Sequence, residues 1–244
     1  MEIKTRYMTR NDCYRSGRKI TPKGIMIHST ATPGVMAGAW FDRWNKSYKA
    51  KEINRQVCVH AFVDDKEVWQ YLPWDHRGWH AGGKANDSYI GIEICEPSGF
   101  FYSHNVMIGY DAKENSLYYR QAFNNAVDLC VFLCKEYRLT EKDIIGHFEG
   151  HKMGIASNHA DPNHWFSKHK DNMDTFRKAV KERLENDYEL ELAVRILAER
   201  GIINTPYYWM DNAREGKNIR GDYAGILIKR MAALCSDMYG GIKL

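Results

Sequence analysis

Three parts of the chain carry residue types that could do hydrolytic chemistry. His28 stands at the polar exit of a short apolar run, Gly24-Ile25-Met26-Ile27. Glu93 is the lone carboxylate in Tyr89-Ile90-Gly91-Ile92-Glu93-Ile94-Cys95, and a Glu is seldom fully buried without a partner. The third part runs from Gly146-His147-Phe148-Glu149-Gly150-His151 to Asn158-His159-Ala160-Asp161-Pro162. Of ten histidines, five fall between His147 and His169. Imidazole and carboxylate both ligate zinc, and a catalytic zinc takes three protein ligands and leaves one position for water. The residue types therefore allow a His, His, Asp zinc site. Asp161 precedes a proline, which biases its backbone towards extended geometry.

His147 and His151 lie four apart with Glu149 between them, which invites comparison with the H-E-x-x-H zinc-protease helix. That motif needs Glu directly after the first His, on a continuous helix. Phe148 occupies that place, and Gly150 weakens a helix by roughly 1 kcal/mol against Ala. The protease reading is rejected.

The elements that must position these groups follow from periodicity. Residues 24–28 read as a buried strand. Met36, Trp40, Phe41, Trp44 and Tyr48 recur at helical spacing over 36–48. Residues 56–64 and 68–72 alternate about Asp64-Asp65-Lys66, a hairpin signal. Residues 73–88 have no period and form a loop. Residues 89–95 are a strand with Ile90, Ile92 and Ile94 on one face and Glu93 on the other. A helix is predicted over 117–137, a short strand over 143–146, an irregular loop over 148–170 and a helix over 172–185. The character then changes. A helix over 188–200 with Leu190, Ala193 and Leu197 on its apolar face, a turn-like aromatic stretch over 202–216, and a helix over 221–238 complete the chain. A domain boundary is expected near 186, giving domains 1–186 and 187–244.

Composition narrows the class. Lys plus Arg number 35 against 31 Asp plus Glu, a net charge of +4 without an obvious patch, which argues against a nucleic-acid partner. A hydrophobic fraction of 44% supports a real core. No apolar stretch approaches the ~18 residues of a membrane span. The start of the chain lacks the apolar region of a secretory signal, so synthesis in a reducing cytoplasm is expected. The six cysteines are scattered, and Cys130 and Cys134 read as buried reduced thiols.

The runs G-I-M-I-H-S-T, S-Y-I-G-I-E-I-C-E and G-H-F-E-G-H-K-M-G-I-A-S-N-H-A-D-P, with Trp79-His80-Ala81-Gly82, resemble the type-2 N-acetylmuramoyl-L-alanine amidases. These are zinc amidases related to peptidoglycan recognition proteins, and the likeness, over roughly residues 20–180, is to the phage endolysin and autolysin branch. It implies an α/β fold with a central mixed β-sheet flanked by helices, followed here by a small helical C-terminal module. It implies that His28, His147 and Asp161 ligate Zn2+ and that Glu93 activates the attacking water. His159 falls where many relatives carry a Lys that stabilises the oxyanion, and its charge depends on pH as that of Lys does not. The substrate implied is bacterial peptidoglycan, cut between the lactyl group of N-acetylmuramic acid and L-Ala, by an endolysin that reaches the wall after release from the host cytoplasm.

Each residue also has a plainer reading. His28 could be a satisfied strand-end histidine and Glu93 a paired carboxylate. Trp79 in its loop suits a sugar or peptide contact, and His80 either lines the substrate cleft or folds the loop. His60 faces the site or is structural. Trp40 and Trp44 read as core; His151, His164 and His169 as surface or supporting residues. Leu197 to Pro206, followed by Tyr207-Tyr208-Trp209, resembles a short module at the ends of some clostridial-type endolysins. Exposed aromatics there would suit stacking on sugar rings. The alternative is that these helices pack on the amidase or pair between copies as a homo-oligomer. Two other functions are possible on this fold: a non-catalytic peptidoglycan receptor, against which the presence of all three candidate zinc ligands argues, and a zinc endopeptidase of the stem peptide, which keeps the metal but cuts another bond.

Overall fold

The apolar run at residues 24–28 sits at the centre of everything that follows. In the computed structural model, which describes residues 2–214 and 216–238, strand β2 (Gly24–Ser29) is buried along its whole length. A strand covered on both faces needs apolar side chains both ways, which Ile25, Met26 and Ile27 supply. Its neighbours are β5 (Tyr89–Ile94) and β8 (Ile144–Gly146), both parallel to it. Beyond β5 lie β3 (Ala61–Val63), parallel to β5, then β4 (Val68–Gln70), antiparallel to β3, then β1 (Ile3–Thr5) at the edge. The sheet is thus mixed and six-stranded, in the order β1-β4-β3-β5-β2-β8. Asp64 closes the β3–β4 turn by accepting from the backbone N–H groups of Lys66 and Glu67. A second, two-stranded antiparallel sheet, β6 (Phe101–Ser103) with β7 (Val106–Ile108), stands apart from it.

Helix α3 (Ser116–Tyr137) buries the face the periodicity predicts, including Tyr119, Phe123, Ala126, Val127, Cys130 and Cys134. On another side Trp40 stacks on Phe62 and Trp44 meets both edge-on, a core cluster completed by Met8, Val59 and Tyr71. No disulfide joins the described residues, and Cys13, Cys58, Cys95, Cys130 and Cys134 are buried thiols.

Several expectations are corrected. The 36–48 helix is shorter: a 3-10 turn at Ala37–Ala39 leads into α2 (Trp40–Trp44). The 56–64 strand contracts to β3, with Cys58 forming only an isolated bridge to Trp79. A five-residue helix, α1 (Asp12–Ser16), capped by Asn11, precedes β2. The 148–170 loop contains α4 (His147–Lys152) and α5 (Asn163–Phe166). Gly150 does not break α4, because a Cβ there would lie 2.6 Å from Met26 Cε and the bare backbone is what lets the helix close on the sheet. The helices expected at 172–185 and 188–200 are one, α6 (Met173–Glu199), since neither Gly nor Pro interrupts Asn186-Asp187. The stretch taken as a turn at 202–216 holds α7 (Pro206–Asn212), with Pro206 in the first turn, where its missing N–H costs nothing. Helix α8 (Gly221–Met238) closes the described chain.

The chain divides into two compact units, Met1–Lys181 and Glu182–Leu244. The second has its own core of Val194, Ile202, Ile203 and Trp209, with Leu190, Leu197, Tyr223 and Leu227 packed on it. Val194, not Ala193, turns inward from α6. Trp209 is therefore buried, against the expectation of an exposed Trp, while Tyr207 is 85% exposed. No helix among the described residues is long and apolar enough to cross a membrane.

Candidate metal centre and cleft

Parallel strands ending side by side place their carboxyl ends together, and the site forms there. His28 pairs with Glu93 in register across β2 and β5, so both side chains project from the same side of the sheet. His147 follows the last residue of β8 and opens α4. Glu149 accepts from the Gly146 N–H and is held by both arms of the Arg177 guanidinium, at 2.9 and 3.0 Å. That clamp sets the angle at which His147 enters the site. Asp161 is tied to the same helix, since the Phe148 N–H donates to its carbonyl. The Asp161–Pro162 peptide is cis.

These elements bring three donor atoms together. His28 Nδ1 is 3.0 Å from Asp161 Oδ2 and 3.0 Å from His147 Nδ1, which is 3.5 Å from Asp161 Oδ2. Zinc ligands at ~2.0–2.1 Å in a tetrahedron lie about 3.3 Å from one another. The trio matches that edge length, and all three residues are buried. The donor set and its spacing fit zinc. Burial raises the Asp161 carboxyl, but bonds from His147 and His28 outweigh it and hold the group well below the usual carboxylate range. Burial pushes His28 down, against the pull of Asp161.

Glu93 lies beside the trio. Its Oε2 is sealed from solvent and has no hydrogen-bond partner among the described residues. Burial, then the charges of Asp161 and Glu96, raise it well above the ordinary carboxyl range. Such a group takes up a proton readily, which is what a general base near neutral pH requires. The hydroxyls of Ser29 and Thr30, on the strand exit, are likewise buried without a partner among the described residues. His159 is 61% exposed on its side chain, stacks on His147 with ring centres 4.6 Å apart, and is lowered by burial and by His147.

These residues open onto a cleft of about 710 Å³. Trp79 lines it with its ring packed towards Cys13, Cys58 and Leu72 and the Arg77 guanidinium 4.9 Å above. His80 also lines it, but both its ring nitrogens have partners in the protein: Nδ1 is 2.9 Å from His28 Nε2, and Nε2 donates to the Tyr89 carbonyl at 3.2 Å. His60 is structural, donating to the His76 carbonyl and accepting from the Gly91 N–H. Trp40 and Trp44 are core residues that only edge the cleft. His151 is exposed, and His169 stacks on Tyr119 at 3.8 Å.

Other residues escaped the sequence reading. Ser157 stands 3.2 Å behind His147 Nε2. Arg55 lines the cleft. Tyr102, from the detached β6–β7 hairpin, donates to the fully buried Glu96 at 2.9 Å and lies 2.7 Å from His164 Nε2, making one wall of the cleft. The only local signal for these was polarity in irregular segments.

Comparison with known proteins adds the family. The chain is similar to the amidase CwlL of Bacillus licheniformis, 31% identical over 190 residues that cover 72% of this chain and 46% of that one. It is similar to the amidase XlyA of Bacillus subtilis, 40% identical over 85 residues, 34% of this chain and 27% of that one. It spans less than half the length of either relative. A solved mutant endolysin from Bacillus subtilis superposes with a TM-score of 0.53 at 26% identity, over 74% of this chain and 99% of that one. The family pattern for N-acetylmuramoyl-L-alanine amidase, Amidase_2, matches residues 17–164, which include His28, Glu93, His147 and Asp161. On that match the chain belongs to the Amidase_2 family of N-acetylmuramoyl-L-alanine amidases.

Proposed function

We propose that the protein is a zinc-dependent peptidoglycan hydrolase of endolysin type, cutting the amide between the lactyl group of N-acetylmuramic acid and L-Ala of the stem peptide. The observation that carries this is the convergence of His28 Nδ1, His147 Nδ1 and Asp161 Oδ2 beside a carboxylate with an unpaired oxygen, Glu93. Bound by that trio, zinc supplies a Lewis acid and lowers the pKa of water. Glu93 takes a proton from the attacking water, then returns one to the departing L-Ala amine. His159, which lines the cleft beside His147, donates to the carbonyl oxygen as charge develops on it. The cleft holds the glycan and stem, with the exposed side of Trp79 as an apolar surface for either. The protein acts on the bacterial cell wall, and residues 187–244 serve as a wall-binding module.

Mass spectrometry of purified walls after digestion tests the bond. Free stem peptides beginning with L-Ala are expected. Cuts inside the stem would make the protein an endopeptidase, and an absence of products would make it a receptor. About one zinc per chain is expected on elemental analysis, with turnover lost to a chelator and restored by zinc. Full activity in a metal-free preparation would end the zinc reading.

A further inference from the structure

We propose that His80 is a positioning residue, which fixes the ring proton of His28 and so sets the affinity of the His28–His147–Asp161 site for its metal. This rests on the zinc reading above. For His28 to offer a lone pair at Nδ1, its ring proton must sit on Nε2. That nitrogen is 2.9 Å from His80 Nδ1, which must then accept, so His80 carries its own proton on Nε2. His80 Nε2 lies 3.2 Å from the Tyr89 carbonyl, a group that can only accept. The direction of every bond is therefore set from one end. The carbonyl on β5 orders the tautomer of His80, and His80 orders that of His28.

The fold builds this relay deliberately close. The His80 ring crosses β5 where Gly91 has no side chain, and a Cβ there would lie 2.6 Å from His80 Cγ. Asn86, buried, accepts from the backbone N–H groups of both His80 and Ala81, at 2.8 and 2.9 Å. The next residue serves the second ligand. His147 Nε2 donates to Ser157 Oγ at 3.2 Å, and Ser157 Oγ donates to the Ala81 carbonyl at 3.2 Å. Two adjacent residues, His80 and Ala81, thus stand behind both imidazoles of the trio.

Partners of this kind are commonly worth 10–100-fold in metal affinity. The test is zinc competition against a chromophoric chelator, with the full chain and the isosteric pair His80→Asn and His80→Leu. Asn keeps an acceptor near the position of Nδ1, whereas Leu keeps only the volume. Wild type and His80→Asn should bind zinc within a few-fold of each other, with His80→Leu weaker by 10–100-fold, while metal-free melting temperatures show all three folded. Equal affinities across the three, or His80→Asn as weak as His80→Leu, overturn the role of His80 and leave the zinc reading intact. A wild-type chain that binds no zinc removes both. Nitrogen-edited NMR of the zinc-loaded wild type gives a check that needs no variant: His80 should carry its proton on Nε2, and a proton on Nδ1 overturns the proposal.

Discussion

Glu93 and His159 line the same cleft in opposite electrostatic circumstances. Burial, then the charges of Asp161 and Glu96, raise Glu93 well above the ordinary carboxyl range. Glu93→Gln keeps the shape and removes the proposed base. Turnover should fall by 10²–10⁴-fold with zinc content unchanged, and a loss under about tenfold would show that Glu93 is not the base. His159 is lowered, by burial first and then by His147, so its charge disappears as pH rises through a value below the usual imidazole range. A Lys at that position stays charged to about pH 10. In His159→Lys, the rate relative to wild type should therefore grow from pH 5 to pH 8. If His159→Ala matches wild type at every pH, the residue has no part in the reaction.

At the scale of elements, His60 couples strand packing to pH. It bridges the His76 carbonyl and the Gly91 N–H as a neutral ring, and burial lowers it to about 4. An unfolded chain takes up this proton near pH 6.5, whereas the folded chain refuses it until about 4. Stability is thus lost as pH falls from about 6.5 to about 4, by roughly 3 kcal/mol from this group, with no further loss below. Denaturant titrations of wild type and His60→Gln in chelator, at pH 7.5, 5.5 and 4, measure it. The variant should lose less stability on acidification, and parallel curves would remove His60 from the account. The neighbouring elements show why short pieces are hard to read locally. Helix α4 exists because Glu149 and Arg177 cap and clamp it and because Gly150 fits against Met26, none of which a helix propensity contains.

For the whole molecule, the division at Lys181 leaves Met173, Phe176 and Val180, the buried residues of early α6, in the first unit and gives the second a core of its own. A chain ending at Asn186 should cleave soluble muramyl peptides at near full rate yet bind and lyse intact cells poorly. Loss of the soluble activity would make the helices part of the catalytic fold, and unchanged lysis would remove the wall-binding role, for which Tyr188 and Tyr207 are exposed aromatics and Trp209 is not. The sequence by itself determined β2 and β8 from short continuous apolar runs, β5 from an alternating run and α3 from a 3.6-periodic one. The runs around His28, Glu93, His147 and Asp161 also carried the resemblance to the family. The sequence could not show β1, a three-residue edge strand whose only reason to exist is pairing with β4, or the continuity of α6 and the start of α7 at a proline. Nor could it show that His80 stands behind His28, or that Glu96, Tyr102 and His164 meet. His28 and Asp161 are 133 positions apart, and the hydrogen bonds that orient such side chains exist only once the chain has closed around them.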